Sequence, residues 1–357
     1  MKKLSQAAMI SLGLMLFVAG CGSSGTTAGG GKEAAGGSKA ASSAPSDKKI
    51  DKITITSAHY PLASTTPVQV GIEKGFFKEQ GIEIEGVIKG EGGGTTVRNV
   101  LSGKLPFGEV ALSSVIKSFD SGAPLVIIGG GARSFDGVYM VTRKDAPYNK
   151  LEDLIGKKVS ATNKGGSVDT SLKLSFKRAN VKPGDIEVVY PGGLKEGLTL
   201  LNNGGVEAAY LSDPTFTTMK DKYKIVFKFS DYLPHLQQTV IITSPQLIKE
   251  NPDLVKRYLT AYKNAVEWIY KNPEEAGKIN AKVAEVNEQG AIETQKMYAA
   301  SKQWLMDTID VDAYNTIVES MYLSGELKNG AKIAWNDLLY QEFFTQKVDT
   351  TKLLGGK

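Results

Sequence analysis

Cysteine is nearly missing from this chain: Cys21 is the only one in 357 residues. A disulfide within the chain is excluded, and so is a metal site built on several thiolates. Histidine is almost as scarce, with only His59 and His235. A two-histidine metal centre therefore has little to draw on, and no serine triad can be assembled. No apolar run reaches the ~20 residues that a bilayer-spanning helix requires. No block of five or more like charges occurs, and Lys and Glu alternate along the chain. Nucleic acid and polybasic membrane binding are poorly supported for that reason. No internal repeat is visible, no glycine-rich turn ends in the Gly-Lys-Ser/Thr of a P-loop, and no dinucleotide fingerprint with a following acid is found.

What is present begins at the first residues. Lys2 and Lys3 precede an apolar stretch from Ala7 to Ala19, interrupted by Ser11. Its length and flanks are those of a secretory leader, which predicts that residues 1–20 are removed. The stretch ends in Val18-Ala19-Gly20-Cys21, which resembles a bacterial lipobox. Cys21 is the expected lipidation site, the alternative being an ordinary leader with an incidental cysteine. Each acyl methylene buried in a membrane contributes about 0.8 kcal/mol, and stable anchoring takes more than one chain. Residues 21–50 would then be the lipidated cysteine and a Gly/Ser/Ala tether, too poor in apolar side chains to build a core. Loss of Lys2 and Lys3 takes the formal charge from +5 to +3, leaving 41 basic against 38 acidic residues.

From Ile53 onward, β-rich runs alternate with helical patterns. Strands are expected at Ile53–Thr56, Ile82–Ile88, Phe107–Leu112 and Leu125–Ile128, and a second series at Val159–Ala161, Ile186–Val189 and Ala208–Leu211. Helices are expected between them: Pro67–Lys74 behind a Thr66 cap, Thr95–Ser102, one opening at Ser113, and one behind Ser167. The alternation predicts an α/β fold with mixed, mostly parallel sheets flanked by helices. Two short series, together with the chain length, point to two lobes. Val138–Arg143 is expected to lead into the second lobe and Thr239–Thr243 to lead out. Lobe 1 would comprise residues 51–143 and 239–357, and lobe 2 residues 144–238. After the return, Asn251–Lys271 reads as a long amphipathic helix, and further helices should pack back on lobe 1. Trp268, Trp304 and Trp335 are expected in the core.

In open α/β sheets, ligands bind beyond the carboxyl ends of the strands. The loops there are rich in Ser, Thr and Gly: Ser64-Thr65-Thr66, Gly92 through Thr96, Ser113-Ser114, Gly165-Gly166-Ser167 and Ser212-Asp213. Most open a helix whose first N–H groups lack partners inside the helix. The candidate ligand contacts are Tyr60, Ser64, Thr65, Gly94, Thr95, Ser113, Ser114, Asn163, Ser167 and Asp213. The same residue types are ordinary helix caps, so each could serve either purpose. Arg133, after Gly129-Gly130-Gly131, could offer a fork to a carboxylate or sulfonate, or form a surface ion pair. Glu109 interrupts an apolar strand, as a buried partnered acid or as a ligand contact. His59 and Tyr190 are further candidates at strand ends. No cofactor and no catalytic residue is expected.

His59-Tyr60-Pro61-Leu62-Ala63-Ser64, followed by Gly71-Ile72-Glu73-Lys74-Gly75-Phe76-Phe77-Lys78-Glu79-Gln80-Gly81-Ile82, resembles the nitrate/sulfonate/taurine-type solute-binding proteins of ABC importers. That family includes binders of thiamine pyrimidine precursors. Leu101-Ser102-Gly103-Lys104-Leu105-Pro106-Phe107-Gly108 is similar to the family's step into its third strand. Ser212-Asp213-Pro214 stands where the family often has an aromatic residue, an acid and a proline. The resemblance implies a two-lobed type II periplasmic-binding fold, hinge closure on a small anionic or zwitterionic organic solute, and delivery to a permease with its ATPase. It implies a monomeric, extracytoplasmic receptor, with ligand contacts from the loops named above. A lipoprotein sensor is the alternative, and a pyrimidine-synthase-like enzyme a further one. Such enzymes carry a cysteine-rich motif, whereas this chain has Cys21 alone. Ser212 in the aromatic position and Glu109 within a strand depart from the family pattern.

Overall fold

The computed structural model describes residues 50–90, 92–164 and 167–356. The leader, Cys21 and the tether through residue 49 lie outside the described residues, as do Glu91, Gly165 and Gly166 of two candidate loops. The chain runs through β1 (Asp51–Ser57), α1 (Thr66–Glu73), α2 (Phe76–Glu79), β2 (Ile82–Lys89), α3 (Gly93–Leu101), β3 (Gly108–Ala111), α4 (Leu112–Asp120) and β4 (Val126–Gly130). A second series follows: β5 (Val138–Arg143), β6 (Lys158–Ser160), α5 (Ser167–Arg178), β7 (Glu187–Val189), α6 (Leu194–Asn202), β8 (Ala208–Ser212), α7 (Thr215–Met219), β9 (Tyr223–Lys228) and α8 (Phe229–Tyr232). The chain then returns through β10 (Thr239–Thr243) to α9 (Pro245–Glu250), α10 (Pro252–Lys271), α11 (Pro273–Ala284), α12 (Glu288–Ser301), α13 (Val311–Ser324) and α14 (Trp335–Leu338).

Two five-stranded sheets result, ordered β2-β1-β3-β10-β4 and β7-β6-β8-β5-β9. Both are mixed. β1 pairs in parallel with β2 and β3, and β6 with β7 and β8, as alternating βα units require. The antiparallel pairings all belong to the two crossing strands, β10 against β3 and β4, and β5 against β8 and β9. This corrects the expected boundary: β5 aligns Val138 with Ser212 and Arg143 with Tyr223, so residues 138–143 belong to the second lobe, and the crossing lies before Val138. β10 rejoins the first sheet as anticipated.

Each sheet is covered on both faces, which is why its central strands read as apolar runs. Every residue of β4 and β10 is buried. On one face of the first sheet, Ile55 and Ile128 pack with Tyr258 and Tyr262 of α10; on the other, Val110 and Ile242 pack with Val115 of α4 and Trp335. α10 starts where its cap predicts, with Asn251 Oδ1 accepting the Leu254 N–H at 3.1 Å. Trp304 and Trp335 are buried, and Trp268 is half-buried beneath the Lys74 ammonium. The C-terminal helices do not all return to the first lobe. α13 packs on α4 and also on α5 of the second lobe, where Glu319 receives Lys177 at 2.7 Å and Arg178 at 3.1 Å.

The triple glycine that ends β4 is a packing device. A Cβ on Gly130 would lie 1.9 Å from the Leu305 carbonyl oxygen, and one on Gly131 would lie 2.3 Å from Thr239 Oγ1. The backbone of residues 304–306 is laid directly against these positions.

Candidate functional site

Between the two sheets lies a cavity of about 860 Å3, into which helix starts from both lobes project. The first lobe supplies His59 from the turn after β1, Gly94 from the first turn of α3, and Ser113 and Ser114 from the first turn of α4. The second lobe supplies Lys164 from the loop after β6 and Ser167, Thr170 and Ser171 from α5. Phe135 and Gln238, on the two crossing segments, complete the wall between the lobes. Helix starts carry N–H groups without intrahelical partners and the positive end of the helix dipole, a setting that favours anions.

Glycine lets the two helix starts of the first lobe approach. A Cβ on Gly93 would stand 2.1 Å from Ser114 Oγ and 2.3 Å from Ser114 Cβ, so α3 and α4 touch here through a bare backbone. Gly90, just before, leaves room for Thr96 in the same way, with Thr96 Oγ1 only 2.1 Å from where a Cβ would be.

The charge of the lining is lopsided. Among the described residues of the lining, Arg98, Lys117 and Lys164 stand against one acid, Glu326. All three cations are exposed, and among the described residues none makes an ion pair with a carboxylate. Arg98 is folded back toward the first turn of its own helix. Its Nη2 donates to Thr95 Oγ1 at 2.8 Å, and a Cβ on Gly94 would lie 3.5 Å from its Nη1. Burial lowers the pKa of His59, although solvent still reaches part of the residue. Its imidazole is therefore held toward the neutral form.

Of the residues expected at the site, His59, Gly94, Ser113, Ser114 and Ser167 meet in this cavity. The others are placed elsewhere, most with their polar atoms spent inside the protein. Ser64 and Thr65 are buried under the start of α1, where the Ser64 carbonyl accepts the Trp304 indole N–H at 2.8 Å and Thr65 Oγ1 donates to the Leu62 carbonyl at 2.8 Å. Tyr60 packs on the core that contains Ile55, Tyr258 and Tyr262, and burial raises its phenol pKa. Thr95 accepts from Arg98, beside the cavity. Arg133 is directed at the Ser301 carbonyl, 3.5 Å away, and not into the cleft. Asn163 is exposed on the loop after β6. Tyr190 donates to Asp169 Oδ1 at 2.9 Å, bracing the first turn of α5.

Asp213 is tied into the second lobe. Its Oδ1 accepts the Thr217 N–H at 3.0 Å, which is the helix-capping option, and its Oδ2 accepts from the Tyr139 hydroxyl at 2.7 Å. Glu109 is a buried, partnered acid. Its Oε1 accepts from Thr239 Oγ1 at 2.8 Å and its Oε2 from the Tyr262 hydroxyl at 3.2 Å. Burial raises its pKa to about 7 despite these two donors. Arg98, Lys117, Lys164 and Gln238 were not singled out from sequence. Arg98 and Lys117 lie one turn beyond the loops, at the three- and four-residue steps that keep a helix face continuous, and that spacing was the available signal.

A sequence model described as NMT1/THI5-like matches residues 63–276, well over half of the chain. The chain belongs to the NMT1/THI5-like family. Within reach of this NMT1/THI5-like chain is the formylaminopyrimidine-binding protein of Halalkalibacterium halodurans, 22% identical over 243 residues that cover 66% of this chain and 71% of the relative. The periplasmic aliphatic sulphonate binding protein SsuA of Escherichia coli has the same fold, with a TM-score of 0.67 and 14% identity over 84% of this chain and 95% of SsuA. Both are binding proteins. The 4-amino-5-hydroxymethyl-2-methylpyrimidine phosphate synthase of Legionella pneumophila is also similar, 22% identical over 237 residues covering 63% of this chain and 71% of the synthase. The two-lobed periplasmic-binding fold expected of the sequence is thus the fold of its structural relatives.

Proposed function

We propose that this protein is an extracytoplasmic receptor of an ABC importer, anchored by lipid at Cys21. It closes its lobes on a small anionic or zwitterionic organic solute and delivers it to a permease. The observation that carries the reading is the cavity between the lobes, where three cations that have no carboxylate partner among the described residues surround helix starts from both sides. A helix start offers a negative charge about 0.3–1 kcal/mol, rising to ~2 when partly buried. Charge-assisted hydrogen bonds add about 1.5–3 kcal/mol each. A few of them together approach the roughly 8 kcal/mol of a micromolar complex. Sulfonate- and pyrimidine-binding relatives support the solute class. Hinge closure would bring Lys164 and Ser167 toward Gly94 and Ser114, so that ligand shifts the population toward the closed form.

Native mass spectrometry of the purified chain, followed by thermal shift against sulfonates, nitrate, carboxylates and pyrimidines, tests this. One equivalent of an anionic or zwitterionic solute, bound without turnover, is the expected result. Steady consumption of a solute, or stabilisation only by cations, would refute it.

A further inference from the structure

The cavity does not end at the helix starts. Gly94, Val97, Arg98 and Leu101 line it along one face of α3, and Ser114, Lys117, Ser118 and Ser121 along one face of α4. Each series spans seven residue steps, so the walls run about 10 Å along both helices. α13 closes the third side with Ile317, Ser320 and Met321. The floor and sides at Val97, Leu101, Ala123, Ile317 and Met321 are apolar. Glu326, just past the end of α13, is the one carboxylate among the described residues of the lining. It is half-buried and, among the described residues, forms no ion pair.

A nitrate or a two-carbon sulfonate held at the helix starts would leave this trench and Glu326 unused. We propose that the α3–α4–α13 trench is a second subsite, and that the solute is an elongated zwitterion. Its anionic head sits at the starts of α3, α4 and α5, its carbon chain lies along the trench, and a terminal ammonium pairs with Glu326. The inference rests on the anion-binding reading above and adds chain length and a distal cation to it. Glu326 is the specificity-determining residue for the distal group. The apolar wall sets the preferred length. α13 also touches α5, so a chain lying against Ile317 contacts the helix that spans both lobes.

Calorimetric titration of the purified chain tests this with two matched series. One is unsubstituted alkanesulfonates and alkanecarboxylates of increasing length; the other is their ω-amino counterparts. Affinity should rise about fourfold per methylene until the trench is filled. At the best length, the ω-amine should bind at least tenfold tighter than the unsubstituted anion. Glu326→Gln should erase that tenfold preference between the two series and keep the melting temperature of the parent. Equal affinity for both series at every length, or an amine preference that survives in Glu326→Gln, overturns the subsite while leaving the anion site standing. Absence of binding by any anion of any length removes the anion site and the subsite together.

Discussion

Gly93 and Ser114 stand so close that a Cβ on the first would lie 2.1 Å from the hydroxyl oxygen and 2.3 Å from the Cβ of the second. The contact joins the starts of α3 and α4, the two first-lobe helices whose first turns line the cavity. A methyl group here meets a Cβ as well as a rotatable hydroxyl, so a rotamer change cannot relieve it. Gly93→Ala should push the helix starts apart. A loss of about 1–3 kcal/mol in stability is expected, as for overpacked cores, with at least a tenfold loss of solute affinity. Adding Ser114→Gly, which removes both clashing atoms, should recover most of the stability. Chemical denaturation of the single and double variants checks this.

Arg98 and Lys164 face the cavity from opposite lobes, and among the described residues neither has a carboxylate partner. Each should contribute through a charge-assisted contact to a bound anion. Arg98→Ala and Lys164→Ala are expected to weaken anion binding about tenfold each, equivalent to about 1.4 kcal/mol. Both groups are exposed, so salt screens them. Raising ionic strength should therefore weaken parent binding more than binding by the double variant. Titrations at low and high salt measure that difference.

The local order of strands and helices was legible because β-branched runs and Ser/Thr/Gly loops carry it. Ile82–Ile88 and Asn251–Lys271 fall within a residue of β2 and α10. The sheet membership of β5 was not legible, since Val138–Arg143 has the same alternation whichever lobe it joins. Only its long-range pairing with residues 209–212 and 223–228 decides the matter. The lining of the cavity was legible only in part, for a related reason. A Ser or Thr at a helix start can cap, or can face a ligand. In Ser113, Ser114 and Ser167 it faces the cavity, while in Thr65 it bonds its own turn. The cations escaped notice because Arg98 and Lys117 lie on helix surfaces, where lysine and arginine ordinarily serve solubility.

Cys21 is the one residue available for a lipid, following Val18-Ala19-Gly20. Cys21→Ser should move the protein from the membrane to the soluble fraction of its host and abolish labelling by a radioactive fatty acid. Solute affinity of the purified protein should be unchanged, because the described lining residues of the cavity all lie between His59 and Glu326. Membrane fractionation with and without the substitution is the measurement. Retention of label in the serine variant would remove the anchor from the proposed function.

Glu109 lies on β3 with Thr239 of β10 and Tyr262 of α10 as its donors, and Thr239 Oγ1 in turn accepts the Ala132 N–H at 2.8 Å. Burial raises the carboxyl pKa to about 7 from an ordinary 4.5. A carboxyl whose folded pKa is raised binds its proton more tightly in the native state. The unfolded chain loses that proton first, near pH 4.5, and the native state loses it only near 7. Stability from this group is therefore fully present below about pH 4.5 and is lost as pH rises through 7, a change of roughly 3 kcal/mol. Glu109→Gln, which cannot ionise, should lack that slope. Melting temperatures measured from pH 5 to 8 should fall more steeply for the parent than for the variant, and the two curves should converge toward acid. Parallel curves across the range would mean that Glu109 keeps a single charge state and that the Thr239 and Tyr262 hydroxyls suffice to hold it ionised.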